Sequence, residues 1–180
     1  MSDTWHLIEA KREGDDLPTM FRIRELEPRP ELSTILVVEL PYPVSDSSKL
    51  PGPAAYRRLG AFEQDWLVPA AAALGLEVVA FKTANGSMHA YLYGALADPQ
   101  ALVARLSPFD GGLAFYDDPD PEWAEYAALR ELISAAKALQ QRPRRPRAPT
   151  VVAKIRAKRV RKSTKKRTKP KSKAKQPKRR

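Results

Sequence analysis

The chain has 180 residues and a mass of 20.1 kDa, room for one ordinary domain and an appendage. Its 32 Lys and Arg against 21 Asp and Glu give +11, yet residues 142–180 hold 20 of those cations and no acid, leaving 12 basic and 21 acidic residues, a net −9, in residues 1–141. The absence of cysteine excludes a disulfide framework, thiolate catalysis and thiolate metal sites, and two histidines are too few for a histidine-built metal or relay site.

Thr4–Lys11 and Met20–Glu27 read as strands, the second with Phe21 and Ile23 on one face and Arg22 and Arg24 on the other. Glu13-Gly14-Asp15-Asp16-Leu17-Pro18 between them is loop chemistry. Thr34–Leu40 is a nearly continuous β-branched run, the mark of a central strand buried on both sides. Pro41, Pro43, Pro51 and Pro53 then impose an extended connection. In Ala54–Leu74, the residues Leu59, Phe62, Trp66, Ala70 and Ala73 recur at three- and four-residue steps, which predicts a helix. Pro69 should kink or split it, because its ring clashes with the preceding turn. Gly75 supplies the stop.

Glu77–Ala84 and Ser87–Gly94 are two strands joined by Asn85-Gly86, a dipeptide suited to a type I′ turn. Asp98-Pro99 caps a short helix to Leu106, Gly112–Asp117 reads as a last strand, and Asp120-Pro121 opens a helix to about Leu139. From the third strand on, the order β-α-β-β-α-β followed by a helix predicts an α+β, ferredoxin-like antiparallel sheet with two helices on one face. The N-terminal strand pair extends or flanks that sheet.

A two-residue turn pairs Ala84 with Ser87, Lys82 with His89, Ala80 with Tyr91 and Val78 with Tyr93. Alternation then sends Val79, Phe81, Ala90 and Leu92 to the helix-covered side, and Lys82, His89, Tyr91 and Tyr93 to the other. Aromatics on a central strand of an open sheet can stack single-stranded RNA bases, which makes Tyr91 and Tyr93 candidates. The competing expectation is that the last helix, with Trp123, Tyr126, Ala127 and Ile133, covers that face and hides them. An acidic body also repels phosphate.

Little suggests catalysis, so no catalytic residue, metal or cofactor is expected. His89 and Lys82 form an ordinary cross-strand pair, and His6 is read as a solvated edge-strand histidine. Asp117, Asp118, Asp120 and Glu122 have the oxygen chemistry of a Mg²⁺ or Ca²⁺ site. Turn formation and helix capping already account for them. Glu63 and Asp65, two apart on a helix, do not share a face and make no acid–base pair. Asp110-Gly111-Gly112 lacks the spacing of a phosphate-cradling loop.

Beyond Gln141, the prolines Pro143, Pro146 and Pro149 alternate with arginines, and from Lys154 on the chain is Lys and Arg mixed with Ala, Ser, Thr and Pro. Such a segment cannot bury enough apolar surface to offset its ordering entropy, so residues 1–141 are expected to fold as an acidic α+β domain and residues 142–180 to be a disordered tail. Its cations suit DNA or RNA phosphates bound through counterion release, without base reading. Lys154, Arg156, Lys158, Arg159, Arg161, Lys162, Lys165, Lys166 and Arg167 are the interchangeable candidates. In composition alone, the tail resembles linker-histone C-terminal tails. A purely solvating tail, an acidic-membrane or acidic-protein binder, and an arm folding back on the acidic body are the competing readings.

No apolar run reaches the roughly 18–20 residues that span a bilayer, and Met1–His6 lacks the basic and apolar regions of a signal peptide. The expectation is a cytoplasmic protein with no membrane partner, associated with the nucleoid where its tail engages DNA.

Leu50-Pro51 ahead of a helix bearing Leu59 and Phe62-Glu63, the Asn85-Gly86 hairpin running into Tyr91-Leu92-Tyr93, and Asp120-Pro121-Glu122-Trp123-Ala124-Glu125-Tyr126 together resemble a bacterial family of unknown function. That family is related in fold to regulator of ribonuclease E activity B, and the resemblance covers about residues 4–130. It implies a ferredoxin-like α/β domain and, for the regulator itself, inhibition of an endoribonuclease by protein contact. The matched positions are fold landmarks, so no functional residue carries over, and the basic tail departs from the regulator. The sequence therefore points to a non-enzymatic regulatory or interaction protein, its body contacting an unidentified protein. A nucleoid-associated or RNA-binding protein that also uses Tyr91 and Tyr93, and a small enzyme using His89 or the Asp117–Glu122 carboxylates, are the alternatives.

Overall fold

The computed structural model describes residues 4–11, 17–95, 98–106 and 112–141. The strands are β1 (Thr4–Lys11), β2 (Pro18–Glu25), β3 (Thr34–Pro41), β4 (Glu77–Ala84), β5 (Ser87–Gly94) and β6 (Ala114–Pro119). They form one antiparallel sheet in the order β1-β2-β4-β5-β3-β6. The helices are α1 (Pro53–Ala61), a π-helical turn (Phe62–Leu67), α2 (Val68–Ala73), α3 (Pro99–Leu106) and α4 (Ala124–Gln141).

The sheet separates two apolar cores. On one side Leu36, Val38, Phe81, Ala90 and Leu92 meet Leu59, Phe62, Leu67, Leu102 and Leu106 from α1 through α3. On the other side Ile23, Ile35, Val37, Val79 and Tyr93 meet Trp123, Tyr126, Leu129 and Ile133, the last three from α4. The N-terminal pair extends the sheet through β2 on β4.

Proline does split the long helix. In an α-helix Pro69 would lack the donor for the Asp65 carbonyl and its ring would crowd it. The chain widens instead into a π turn, in which Val68 N–H reaches the Glu63 carbonyl. Gly75, at φ +67°, ends α2: its N–H bonds the Ala72 carbonyl at 3.2 Å and Leu76 N–H bonds Ala71 at 2.9 Å.

The hairpin turns at Asn85 and Gly86, at φ +51° and +86°, as a type I′ turn requires. Ala84–Ser87, Lys82–His89 and Ala80–Tyr91 pair as expected, but Tyr93 lies opposite Glu77 because the register slips between Val78 and Ala80. That bulge turns Val79 into the α4-side core and Val78 into the other, the reverse of strict alternation.

Three elements have bounds that differ by two residues or more from expectation. β2 spans Pro18–Glu25 because the hydroxyl of Tyr126 takes up the backbone beyond it, accepting from Leu26 N–H at 3.0 Å and lying 2.9 Å from the Arg24 carbonyl. β6 begins at Ala114, after Gly112 at φ +94°, and runs to Pro119, which an edge strand tolerates. The last helix starts at Ala124 because Trp123, at φ +55°, first closes a turn onto the Asp120 carbonyl at 3.1 Å.

Candidate functional site

The nine tail cations, Lys154, Arg156, Lys158, Arg159, Arg161, Lys162, Lys165, Lys166 and Arg167, lie outside the described residues. So does the expected disorder of residues 142–180.

Tyr91 and Tyr93 lie under α4, 8% and 0% exposed. The Tyr93 ring stacks on Trp123, with centroids 4.0 Å apart and planes 10° from parallel. Its hydroxyl donates to Asp120 Oδ2 at 2.6 Å and accepts from Tyr126 N–H at 3.2 Å. Burial first, then the negative field of Tyr116 and Glu125, pushes the Tyr91 phenol up to about 12. Burial and the bond to Asp120 raise that of Tyr93 further. The last helix covers both rings, as the competing expectation had it.

Asp120 is a cap, though from an unexpected distance. Its Oδ1 accepts from Ala124 N–H at 2.7 Å, and its Oδ2 from Glu125 N–H at 3.1 Å. Burial pulls its carboxyl upward, but these bonds and the one from Tyr93 outweigh it and hold the group below its ordinary value. Asp117 and Asp118 point to solvent from β6, and among the described residues no cluster of His, Asp or Glu is placed to hold a metal.

His89 lies in a row with Lys82 on β4 and Glu39 on β3, its Nε2 3.6 Å from Glu39 Oε2. Burial and Lys82 lower its basicity while Glu39 raises it. The β6 carboxylates stand apart, Asp117 pairing with Leu36, three residues along β3 from Glu39. His6 is not free either: it bonds Glu25 at 2.6 Å. His89 and the β6 carboxylates are therefore not brought together.

What the structure adds is a groove. On the α1–α3 side, the helices cover the centre of the sheet but, among the described residues, leave open the adjoining face of β1 and β2, whose other face packs on α4. A cleft of about 440 Å³ opens there, between strand residues Leu7, Met20 and Phe81 and helix residues Tyr56, Leu59 and Gly60. Leu7 is 71% exposed and Tyr56 67%. Arg22 crosses its floor, the guanidinium carbon 4.5 Å from the Phe81 ring and 5.0 Å from Trp5, and is ion-paired with Glu63 of the π turn. Beyond it, Glu77 takes Arg24 at 2.9 Å as well as Arg29. The arginines along this face are therefore answered by carboxylates, which makes the groove an apolar surface with a neutralised polar seam. Gly60 was the one signal for it in the sequence: a mid-helix glycine is unfavourable, and a Cβ at this position would meet nothing within 4 Å.

Among the described residues, no helix is long and apolar enough to cross a membrane. No family model matches the chain, and neither a curated protein nor a solved structure does.

Proposed function

We propose that this chain is a non-enzymatic interaction protein whose folded body contacts a protein partner and whose basic tail holds DNA or RNA phosphates without sequence specificity. The observation that carries this reading is the partition of charge, with 20 cations and no acid in residues 142–180 against a net −9 before them. A tether of this kind raises the effective concentration of the body near machinery bound to nucleic acid. It suits a cytoplasmic, nucleoid-associated protein. On the body, the groove beside Leu7 and Tyr56 is the surface suited to a partner, being apolar, open and lined by a glycine that packing does not require.

We read β3 through β6 as a ferredoxin-like unit. The order β4-β5-β3-β6, with neighbours antiparallel, supports this, as do α1, α2 and α3 sharing one core. That reading and the resemblance to the family related to regulator of ribonuclease E activity B both favour protein contact as the body's mode of action. The burial of Tyr91 and Tyr93 speaks against the sheet face as a nucleic-acid platform.

The test compares the full chain with a 1–141 truncation, which keeps both cores because their residues all lie between Ile8 and Ala136. Binding to duplex DNA and to RNA is followed across a salt series. The full chain should bind both, log affinity falling with log salt at a slope near −9 if about ten duplex phosphates are engaged. The truncation should bind neither. Equal binding by the truncation, or a flat salt response, overturns the tail's role.

A further inference from the structure

The two edges of the sheet are built differently. β6 closes one edge with Asp117, Asp118 and Pro119, charges and a proline of the kind that deter strand addition. β1 forms the other, eight residues without proline whose charged side chains, Glu9 and Lys11, lie toward its C-terminal end. One flank of β1 is paired with β2, and among the described residues no strand pairs with the other. Leu7 projects 71% exposed beside the groove, with Trp5 on the same face 36% exposed. Glu9, two residues along that face, is exposed, lies across from Met20, and has no ion pair among the described residues. On the opposite face His6 is already bonded to Glu25.

We propose that the open edge of β1 accepts an extended segment of the partner protein as a seventh strand. That segment carries an apolar residue beside Leu7 and a Lys or Arg two positions away, beside Glu9. This rests on the interaction-protein reading and names the chemistry of its partner. Backbone bonds to the edge supply attachment, and alternate side chains supply selection. Glu9, exposed on that edge, favours a basic residue beside it over an acidic one. A second copy of this chain is a poorer occupant. In a two-fold pairing of two β1 strands centred on Leu7 or Ile8, Glu9 meets Trp5 or Leu7, not a cation.

The probe is an end-blocked peptide, Thr-Leu-Thr-Lys-Thr-Leu-Thr, carrying a dye, with a twin that has Glu in place of Lys. Both are titrated with the full-length protein at physiological salt and read by anisotropy. The lysine peptide should bind saturably, about five- to tenfold more tightly than the twin. Glu9→Lys should reverse the preference, and Leu7→Asp should abolish binding of both, with the far-UV spectrum unchanged because both positions are exposed. Absence of saturable binding at millimolar peptide, or a preference that Glu9→Lys leaves unaltered, overturns the proposal. So does a concentration-dependent dimer that dissociates on Leu7→Asp, which would give the edge to a second copy. Nucleic-acid binding is measured in parallel. Its persistence while the peptides fail sinks the strand proposal alone, whereas its absence from the wild-type chain sinks the functional reading.

Discussion

Burying a carboxylate is costly unless donors answer it, and Asp120, 8% exposed, has three: the Tyr93 hydroxyl and the amides of Ala124 and Glu125. The same cluster holds Trp123 at φ +55°, a conformation costing roughly 1–2 kcal/mol for a side chain of this kind. Stacking on Tyr93, an edge contact to Tyr126 and an indole N–H bond to the Arg29 carbonyl at 3.1 Å hold it there. Tyr93→Phe should therefore lose about 1.5–3 kcal/mol at neutral pH, measured by urea unfolding. Because the folded-state carboxyl is held below its ordinary value, its contribution is full above about pH 4 and is lost as pH falls through that lower value. The difference between wild type and Tyr93→Phe should shrink at pH 3, and a constant difference would remove Asp120 from the account. That Asp120 caps a helix was legible in the sequence. Its bond to Tyr93, 27 residues away, was not, because only the packing of α4 on β5 brings the two together.

Turns and helix ends were the most legible elements, since backbone conformation selects their residues locally. Asn85-Gly86 and Gly75 stand where positive φ demands them. Gly75→Ala should cost about 1 kcal/mol from conformation alone, as nothing lies within 4 Å of the added Cβ. Gly86→Ala should cost more, because its Cβ would also sit 3.1 Å from Val44 Cγ2. Chemical denaturation of the two variants orders them, and equal losses would show that Val44 yields freely. The bulge beside Val79 was illegible for the complementary reason. Nothing in Glu77-Val78-Val79-Ala80 marks an extra residue, and both valines suit either core.

At the scale of the whole molecule, the side of the sheet under α4 keeps its tyrosines protonated. Burial raises the phenols of Tyr91, Tyr93 and Tyr126 above their ordinary value. A raised folded-state value contributes stability that is complete below about pH 10 and lost as pH rises through it. Alkaline unfolding should thus be cooperative, the phenolate absorbance of these rings rising together with loss of the far-UV signal. A phenolate rise from Tyr91 or Tyr93, assigned by Phe substitution, with the helix signal intact would mean that the rings are reachable and would return them to consideration as a binding surface.

The order and type of the elements, the proline break, the hairpin turn and the division of charge between body and tail were determined by the sequence itself. Each arises from periodicity, backbone preference or composition, which act within a few residues. Tertiary structure decided which face each β4 valine serves, that α4 rather than solvent meets the tyrosines, and that α1 through α3 stop short of β1 and β2 while α4 packs on them. These depend on how far apart covered surfaces lie once the sheet is assembled, a distance to which no local pattern has access. The groove beside Leu7 exists because the layer of α1 through α3 is narrower than the sheet, and the edge at β1 because β1 ends the strand order.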